Sequence, residues 1–390
     1  MWKCLKGNGP DDAIRHWKSD VLMDICMRWK RKNAFSLAAL APLLPSIRRV
    51  KTPTDGIIIY SLVTRQAASV FREVQNATTK SIFIAGGPHP SGDPEGTLRY
   101  FDYVVIGEGE ATLPELVKVL QEGGDVSTVK GIAYKDTEGK IIYTPKREPI
   151  ELDDYPCFDP HLIKAPIEIS RGCPWKCKYC QIPQMFGSKV RHRSIDSIVK
   201  YAQHYKDLRF VSSNSFAYGS DGIHPRFDKV EKLLEALYEI GNKDIYFGTF
   251  PSEVRPEFVT DGSLEMVNKY CTNDRISLGA QSGSERILRD IHRGHTVREV
   301  EIAVDRCFEH GITPTVDFIL GFPDETEEEQ EMSLELIKWI CIKGGEVRAH
   351  YLEPLPGTPY AHVSPSKVSE KVNSELGKLA LNGKITGSWE

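Results

Sequence analysis

From residue 56 onward, short β-branched apolar runs alternate with stretches of helical period, and this alternation limits the chain to an α/β architecture. Gly56-Ile-Ile-Ile-Tyr-Ser-Leu reads as a buried strand, and 65–78 follows as a helix with a polar face. Ser81-Ile-Phe-Ile-Ala-Gly-Gly-Pro-His-Pro is a strand running into a glycine turn. Tyr103-Val-Val-Ile-Gly-Glu-Gly-Glu repeats that design before a helix from Thr112 to Leu120. Such units predict a Rossmann-like, doubly wound parallel sheet, whose ligands bind at the carboxyl ends of the strands. Glycine at those ends lets a flat ligand or a phosphate come close to the backbone.

Residues 131–156 read as a β-hairpin and a Pro-containing linker, after which the alternation resumes. Strands are expected at 166–170, 208–213, 244–249, 275–280, 314–320 and 346–351. Helices are expected near 194–205, 228–240, 261–270, 284–290, 297–309 and 326–343. Six βα units predict an open, partial (β/α)6 barrel with its site at the strand carboxyl ends. The expected organisation is a first domain over 1–150, a partial barrel over 151–362 and a helical tail over 363–390 packing on the barrel. Residues 1–32 fit this scheme least. Val21–Trp29 suits a strand or a short helix, no opening strand for the first sheet stands out, and Asn33 is a candidate helix cap.

Three of the nine cysteines fall within eight residues, in Cys173-Pro-Trp-Lys-Cys177-Lys-Tyr-Cys180, on the loop after the first barrel strand. Thiolates bind soft metals and iron–sulfur clusters. A structural zinc site would add a fourth Cys or His at short spacing, and the nearest histidine, His192, is twelve residues on. Three ligands on a four-iron cluster leave one iron open to a substrate. A zinc or disulfide knuckle is the alternative.

Cys-x3-Cys-x-aromatic-Cys after a strand resembles the cluster loop of radical S-adenosylmethionine (SAM) enzymes. The resemblance implies a [4Fe-4S] cluster on Cys173, Cys177 and Cys180 whose open iron binds the amino and carboxylate groups of SAM. Reduction then cleaves SAM to a 5′-deoxyadenosyl radical. Tyr179 matches the usual adenine-side aromatic. The turns Gly86-Gly87-Pro-His89-Pro and Gly107-Glu108-Gly109-Glu110 resemble the cobalamin-binding domain that precedes many radical SAM domains. No Asp-x-His-x-x-Gly occurs there, so His89 is expected near the cofactor rather than as its axial ligand. The alternative is that these turns only close the sheet. Gln281-Ser282-Gly-Ser, Gly321-Phe-Pro-Asp-Glu-Thr and Pro354-Leu-Pro-Gly-Thr-Pro strengthen the likeness, and are shared with methylthiotransferases. Together with Arg191-His-Arg-Ser, Phe250-Pro-Ser-Glu-Val-Arg-Pro and His292-Arg-Gly-His-Thr they resemble the cobalamin-binding-domain/radical SAM proteins.

On that resemblance, Asn214, Gln281 and Ser282 are candidate SAM contacts at strand ends, with loop-closing hydrogen bonds as the alternative. Glu253 and Arg255 are expected to form a charged pair that holds the SAM carboxylate or a polar substrate, since arginine offers a planar fork. His292 and His295 are candidate proton-transfer groups or a helix-end turn. His350 and Tyr351 face the substrate or pack the core. Lys189, Arg191, His192 and Arg193 meet an acidic group or form a solvated positive turn.

The implied reaction is cobalamin-dependent methyl transfer to an unactivated carbon of an unidentified substrate, with electrons from a donor such as ferredoxin or flavodoxin. Alternatives are another radical SAM reaction (methylthiolation, cyclisation or rearrangement) over a structural first domain, or a sensor without turnover. Methylthiotransferases usually carry three further cysteines in the first domain, where this chain has Cys4 and Cys26, with Cys157 in the linker. A net charge of −4 gives no general basic surface for nucleic acid. No apolar run reaches a membrane span of about 18 residues. An odd cysteine count without an N-terminal apolar signal points to a cytoplasmic, reducing setting.

Overall fold

The computed structural model describes residues 23–44 and 46–389. Cys4 and the start of the ambiguous Val21–Trp29 stretch lie outside the described residues. The chain forms two units. The first runs to Ile163 and takes in Gln184–Phe186 and Leu355–Gly357; the second comprises Lys164–Pro183, Gly187–Pro354 and the chain from Thr358.

The first unit is built on strands β1 (Ile25–Arg28), β2 (Arg48–Val50), β3 (Gly56–Ser61), β4 (Ser81–Gly86), β5 (Tyr103–Val105), β6 (Ile132–Lys135) and β7 (Ile141–Tyr143). They form one sheet in the order β2-β1-β3-β4-β5-β6-β7, parallel through β5 and antiparallel for the hairpin β6-β7. The central strand β3 is buried at every position, as a strand covered on both faces must be. Its alternation splits the core: Ile57 and Ile59 join Met27, Leu37, Ile84 and Leu116 on one face, while Ile58 and Tyr60 join Val70, Phe83 and Phe101 on the other. Helix Thr64–Gln75 buries Gln66, Ala67, Val70 and Val74, one stripe at helical spacing.

An opening strand does exist. The segment Ile25–Arg28 is β1, paired on both sides and fully buried. Only four residues long and covered on both faces, it shows no alternation and so carries no readable period. Strand order reverses at β1, because the chain steps out to β2 and returns to β3 on the other side. The carboxyl ends of β1 and β3 form the crevice where doubly wound sheets take ligands. Asn33 precedes helix Ala34–Leu40 without capping its first turn. Its amide instead donates to Arg28 O (3.4 Å) and Ser61 O (3.1 Å), tying those two strand ends together.

The second unit contains β8 (Ile167–Glu168), β9 (Ser170–Arg171), β10 (Arg191–His192), β11 (Asp207–Val211), β12 (Asp244–Tyr246), β13 (Arg275–Gln281), β14 (Thr313–Leu320), β15 (Glu346–Tyr351) and β16 (Ile385–Ser388). Parallel sheets β12-β11-β8 and β13-β14-β15-β16 are joined through the loop after β12. There Val254 bridges to Leu278, and the Val254 amide donates to Ser277 O at 2.8 Å. The result is an open curved array of βα units, the partial barrel expected. Its helices fall at Ile195–Ala202, Phe227–Glu239, Asp261–Tyr270, Glu285–Asp290, Val297–Glu309 and Glu327–Lys343. Five of these six, from Ile195, Asp261, Glu285, Val297 and Glu327, start from a Ser or Thr whose side chain accepts an N–H of the first turn. The tail is not helical throughout. After helix Glu370–Leu381 the chain adds β16, parallel to β15, as an edge strand.

Candidate functional site

In the second unit, β8 delivers the chain to the cysteine loop. Gly172 turns it with φ +93, where a Cβ would lie 2.3 Å from Lys189 O. Cys177 is buried and the other two thiols are half-buried; all three are free. Burial raises the Cys173 thiol and pushes Cys180 up to about 12, so these thiols stay protonated until a positive metal offsets the loss of water. The loop is held from two sides. The Cys173 amide donates to Gly187 O (3.2 Å) and the Lys178 amide to Ile291 O (3.1 Å). Trp175 donates its indole N–H to Gly222 O (3.1 Å) and lies over Gly294, where a Cβ would meet its ring at 2.0 Å.

A pocket lined by Ser170, Cys173, Trp175, Ser213, Asn214 and Arg255 opens beside this loop. Asn214 stands just past β11 and is 6 % exposed, yet neither its amide oxygen nor its amide nitrogen has a partner. Buried amides left unsatisfied are costly, so this pocket is shaped for a polar group. Tyr179 packs at 5.9 Å from Phe322.

The expected Glu253–Arg255 pair does not form. Arg255, 4 % exposed, bonds the Glu257 carboxylate with its Nε and Arg293 O with Nη2 (2.6 Å), and its guanidinium stacks 3.9 Å from the Trp175 ring centroid. Glu253 instead faces Arg348 (3.3 Å), itself clamped by Asp317 on β14. Burial, and next the Asp317 charge, raise Glu253.

Gln281 ends β13 with φ +74 after a register shift, and its side chain folds back towards Gly279. Ser282 is fully buried, and its hydroxyl accepts from the Ser284 amide at 3.1 Å and meets the Ser333 hydroxyl at 3.4 Å. This hydroxyl is engaged in closing its loop rather than brought to the pocket. His292 is exposed at a helix-end turn with φ +57. His295 is buried and neutral: burial, then Arg293 and Arg255, hold it well below the usual histidine range. Its Nε2 donates to Ala280 O at 3.1 Å. His350 is exposed, and Tyr351 donates to Ser366 O (3.1 Å).

The basic run after the loop is not a solvated turn. Arg193 is 1 % exposed against Glu168 (3.1 Å), Arg191 is buried, and His192 Nε2 donates to Ser220 O (2.7 Å); Lys189 stays exposed. The short antiparallel pair β9-β10 turns them inward. Sequence reasoning left a solvated turn open beside an acidic partner, because a basic cluster carries no mark of its buried carboxylate.

In the first unit, Gly86 ends β4 and Gly87 follows with φ +95. A Cβ on Gly87 would lie 3.0 Å from Leu62 O and Ser61 Oγ, so only glycine brings this turn against the end of β3. Helix Pro88–Gly92 starts at once and buries His89 (8 % exposed). Its Nδ1 is 3.4 Å from Thr64 Oγ1, its Nε2 has no partner, and burial lowers its pKa. Gly107 (φ +78) takes the Ser91 hydroxyl on its amide at 2.9 Å. Glu108 accepts the Ile150 amide (2.9 Å), and Gly109 opens helix Gly109–Glu122, three residues earlier than expected.

Two family models match these units. Residues 167–337 match the radical SAM superfamily and residues 51–117 match the B12-binding domain. An uncharacterized methyltransferase of Pyrococcus horikoshii is 28% identical over 333 residues, 80% of this chain and 69% of that protein. A putative methylthiotransferase of Methanocaldococcus jannaschii is 28% identical over 329 residues, 78% of this chain and 69% of that protein. Among solved structures, the radical SAM methyltransferase TsrM from Kitasatospora setae, with cobalamin and [4Fe-4S] cluster bound, shares the fold. Its TM-score is 0.65 at 15% identity, over 86% of this chain and 73% of that one.

Fold and site together define an iron–sulfur, SAM-dependent radical enzyme on a partial barrel, preceded by a doubly wound ligand-binding unit. The chain carries a radical SAM domain and, before it, a B12-binding domain. Its cofactors are a [4Fe-4S] cluster, SAM and cobalamin. The residues present fit that set. The three thiols and the unsatisfied Asn214 amide suit a cluster with a polar ligand beside it. The Gly87 turn and the unpartnered His89 Nε2 suit a flat ligand at the β3 and β4 ends. Among the described residues, no three His, Cys, Asp or Glu side chains form a group that could hold one metal ion. Three thiolates that each take a different iron do not need to converge on one point.

Proposed function

We propose that this enzyme transfers a methyl group to an unactivated carbon, with Cys173, Cys177 and Cys180 as the cluster ligands. Bound to them, the cluster supplies the electron that cleaves SAM to a 5′-deoxyadenosyl radical, and cobalamin supplies the methyl group. The chain positions and shields these groups. Asn214 offers an amide donor and acceptor to the amino-acid end or ribose of SAM, and Tyr179 an aromatic face to its adenine. Gln281 lies on the same strand ends. Arg255 keeps N–H groups beside Cys173 for a carboxylate. Glu253, in its pair with Arg348, belongs to the substrate side, where an acid cannot hold the SAM carboxylate. Gly86, Gly87, His89, Gly107, Glu108 and Gly109 carry the corrinoid. The one-electron donor is of the ferredoxin or flavodoxin class, and the setting is cytoplasmic; among the described residues no helix is long and apolar enough to cross a membrane.

The reading is carried by one observation: a free three-thiol loop beside an unsatisfied polar pocket in the same chain as a glycine-turned, B12-type sheet. The relatives named as methylthiotransferases favour sulfur insertion as a second reading. Against it, Cys26 and Cys157 are each buried, at 0 % and 2 % exposure, so the described residues of the first unit offer no second accessible thiol cluster.

Purification without oxygen, after expression with cobalamin, tests both. About four irons with near-stoichiometric corrinoid, and 5′-deoxyadenosine released from SAM under reduction, are expected. Four irons without corrinoid would sink methyl transfer from cobalamin and bring the second reading forward. Cys177→Ala is expected to lose the cluster and all SAM cleavage.

A further inference from the structure

A buried arginine, Arg255, and a half-buried one, Arg293, meet the cysteine loop. Arg293 follows His292, whose carbonyl takes the Cys177 thiol at 3.7 Å, and the Arg293 Nη2 donates to Gly279 O at 2.8 Å. The room for it is made by Gly279, where a Cβ would lie 2.6 Å from that Nη2. Its Nε is buried and has no partner. Arg255 supports it from behind, donating to Arg293 O at 2.6 Å while stacked on Trp175 of the loop itself. Both guanidiniums act on Cys173. One carboxylate, Glu257, answers them: it pairs with Arg255, and no carboxylate among the described residues hydrogen-bonds Arg293. Two cations against one anion leave an uncompensated positive charge beside three thiols. A buried charge of that kind demands a counter-charge, and an anionic cluster supplies one.

We infer that Arg293, backed by Arg255, is a positioning cation that stabilises the added electron on a cluster held by Cys173, Cys177 and Cys180, and so sets its reduction potential. The inference rests on the cluster reading above. The step concerned is the gain of one electron from an external one-electron donor, with no bond broken and no proton moved. Negative charge on the cluster rises by one, and a fixed neighbouring cation favours that state. Because the Arg293 guanidinium is anchored on Gly279 O, it needs no rearrangement to do so.

The test is an EPR-monitored dithionite titration of the iron-loaded protein with redox mediators and no SAM. At the wild-type midpoint, Arg293→Gln is expected to lower the ratio of reduced to oxidised cluster at least tenfold. For one electron that is a shift of about 59 mV to more negative potential. Arg293→Lys keeps the charge and is expected to stay near wild type. Glu257→Gln removes the opposing anion and is expected to move the midpoint the other way. An iron-replete Arg293→Gln with an unmoved midpoint overturns the inference. Should that variant lose its iron, an unmoved or more negative midpoint in Glu257→Gln overturns it instead. Wild-type protein that holds no cluster would overturn the cluster reading itself, and this inference with it.

Discussion

At the scale of single residues, the second unit spends several buried charges on fixing its loops. Glu168 ends β8 and accepts Arg171 at 2.7 and 3.0 Å and Arg193 at 3.1 Å. With Arg193 only 1 % exposed, removing the acid strands a buried guanidinium. Glu168→Ala is expected to cost about 3–5 kcal/mol, read as a lower urea midpoint; a loss under about 1 kcal/mol, the scale of an exposed pair, would contradict the buried pair. Glu325, in the turn after β14, is a different case. Burial pushes its carboxyl up to about 7, against the Gly321 and Phe322 amides that favour the charged form, while its second oxygen has no partner. A folded pKa raised above the unfolded value of about 4.3 stabilises the fold at low pH, and that stability is lost as pH rises through about 7. The wild type is therefore expected to lose up to roughly 3 kcal/mol relative to Glu325→Gln between pH 5 and pH 8. Urea midpoints of both proteins at the two pH values measure it, and a constant difference would contradict the shift.

At the scale of elements, the cysteine loop depends on the turn after helix Glu285–Asp290. Ile291 accepts the Lys178 amide, the Cys177 thiol reaches His292 O at 3.7 Å, and Gly294 lies under Trp175. With φ +82 and a Trp175 ring atom 2.0 Å from the Cβ position, Gly294→Ala displaces the indole as well as straining the backbone. Iron retained per chain after desalting is expected to fall severalfold, with the secondary structure seen by circular dichroism unchanged. Wild-type retention would show that the turn does not hold the loop. The elements themselves were mostly legible in the sequence. The six barrel strands and six helices lie within a few residues of their expected places, because long periodic segments reveal their own period. The misses were β1, too short and too buried to alternate, β2 and β10, too short to show any period, and β16, in a tail whose helix dominated the reading.

At the scale of the whole molecule, two units with separate sheets imply separate ligands, and ligand linkage can be read on each. A corrinoid that binds the folded first unit raises its stability by about 2.7 kcal/mol at a hundred times its dissociation constant. Hydroxocobalamin is expected to raise the melting temperature of the wild type and to raise it less in Gly87→Ala, whose added methyl presses on Leu62 O and Ser61 Oγ. Equal shifts in both proteins would move the corrinoid away from the Gly87 turn.

The sequence by itself determined the α/β alternation, the three-cysteine loop and the glycine turns, because each is a local pattern written in neighbouring residues. Tertiary structure alone decided the partners. It set Arg255 on Glu257 and Trp175 rather than on Glu253, turned Arg193 inward onto Glu168, left the Asn214 amide unsatisfied and brought the turn that carries Arg293 to Cys177. Apart from Arg255 with Glu257, those pairings join strands and turns far apart in the chain. Charge and hydrogen bonding act through space over a few ångströms, and which groups come that close is fixed only when the sheet closes around them.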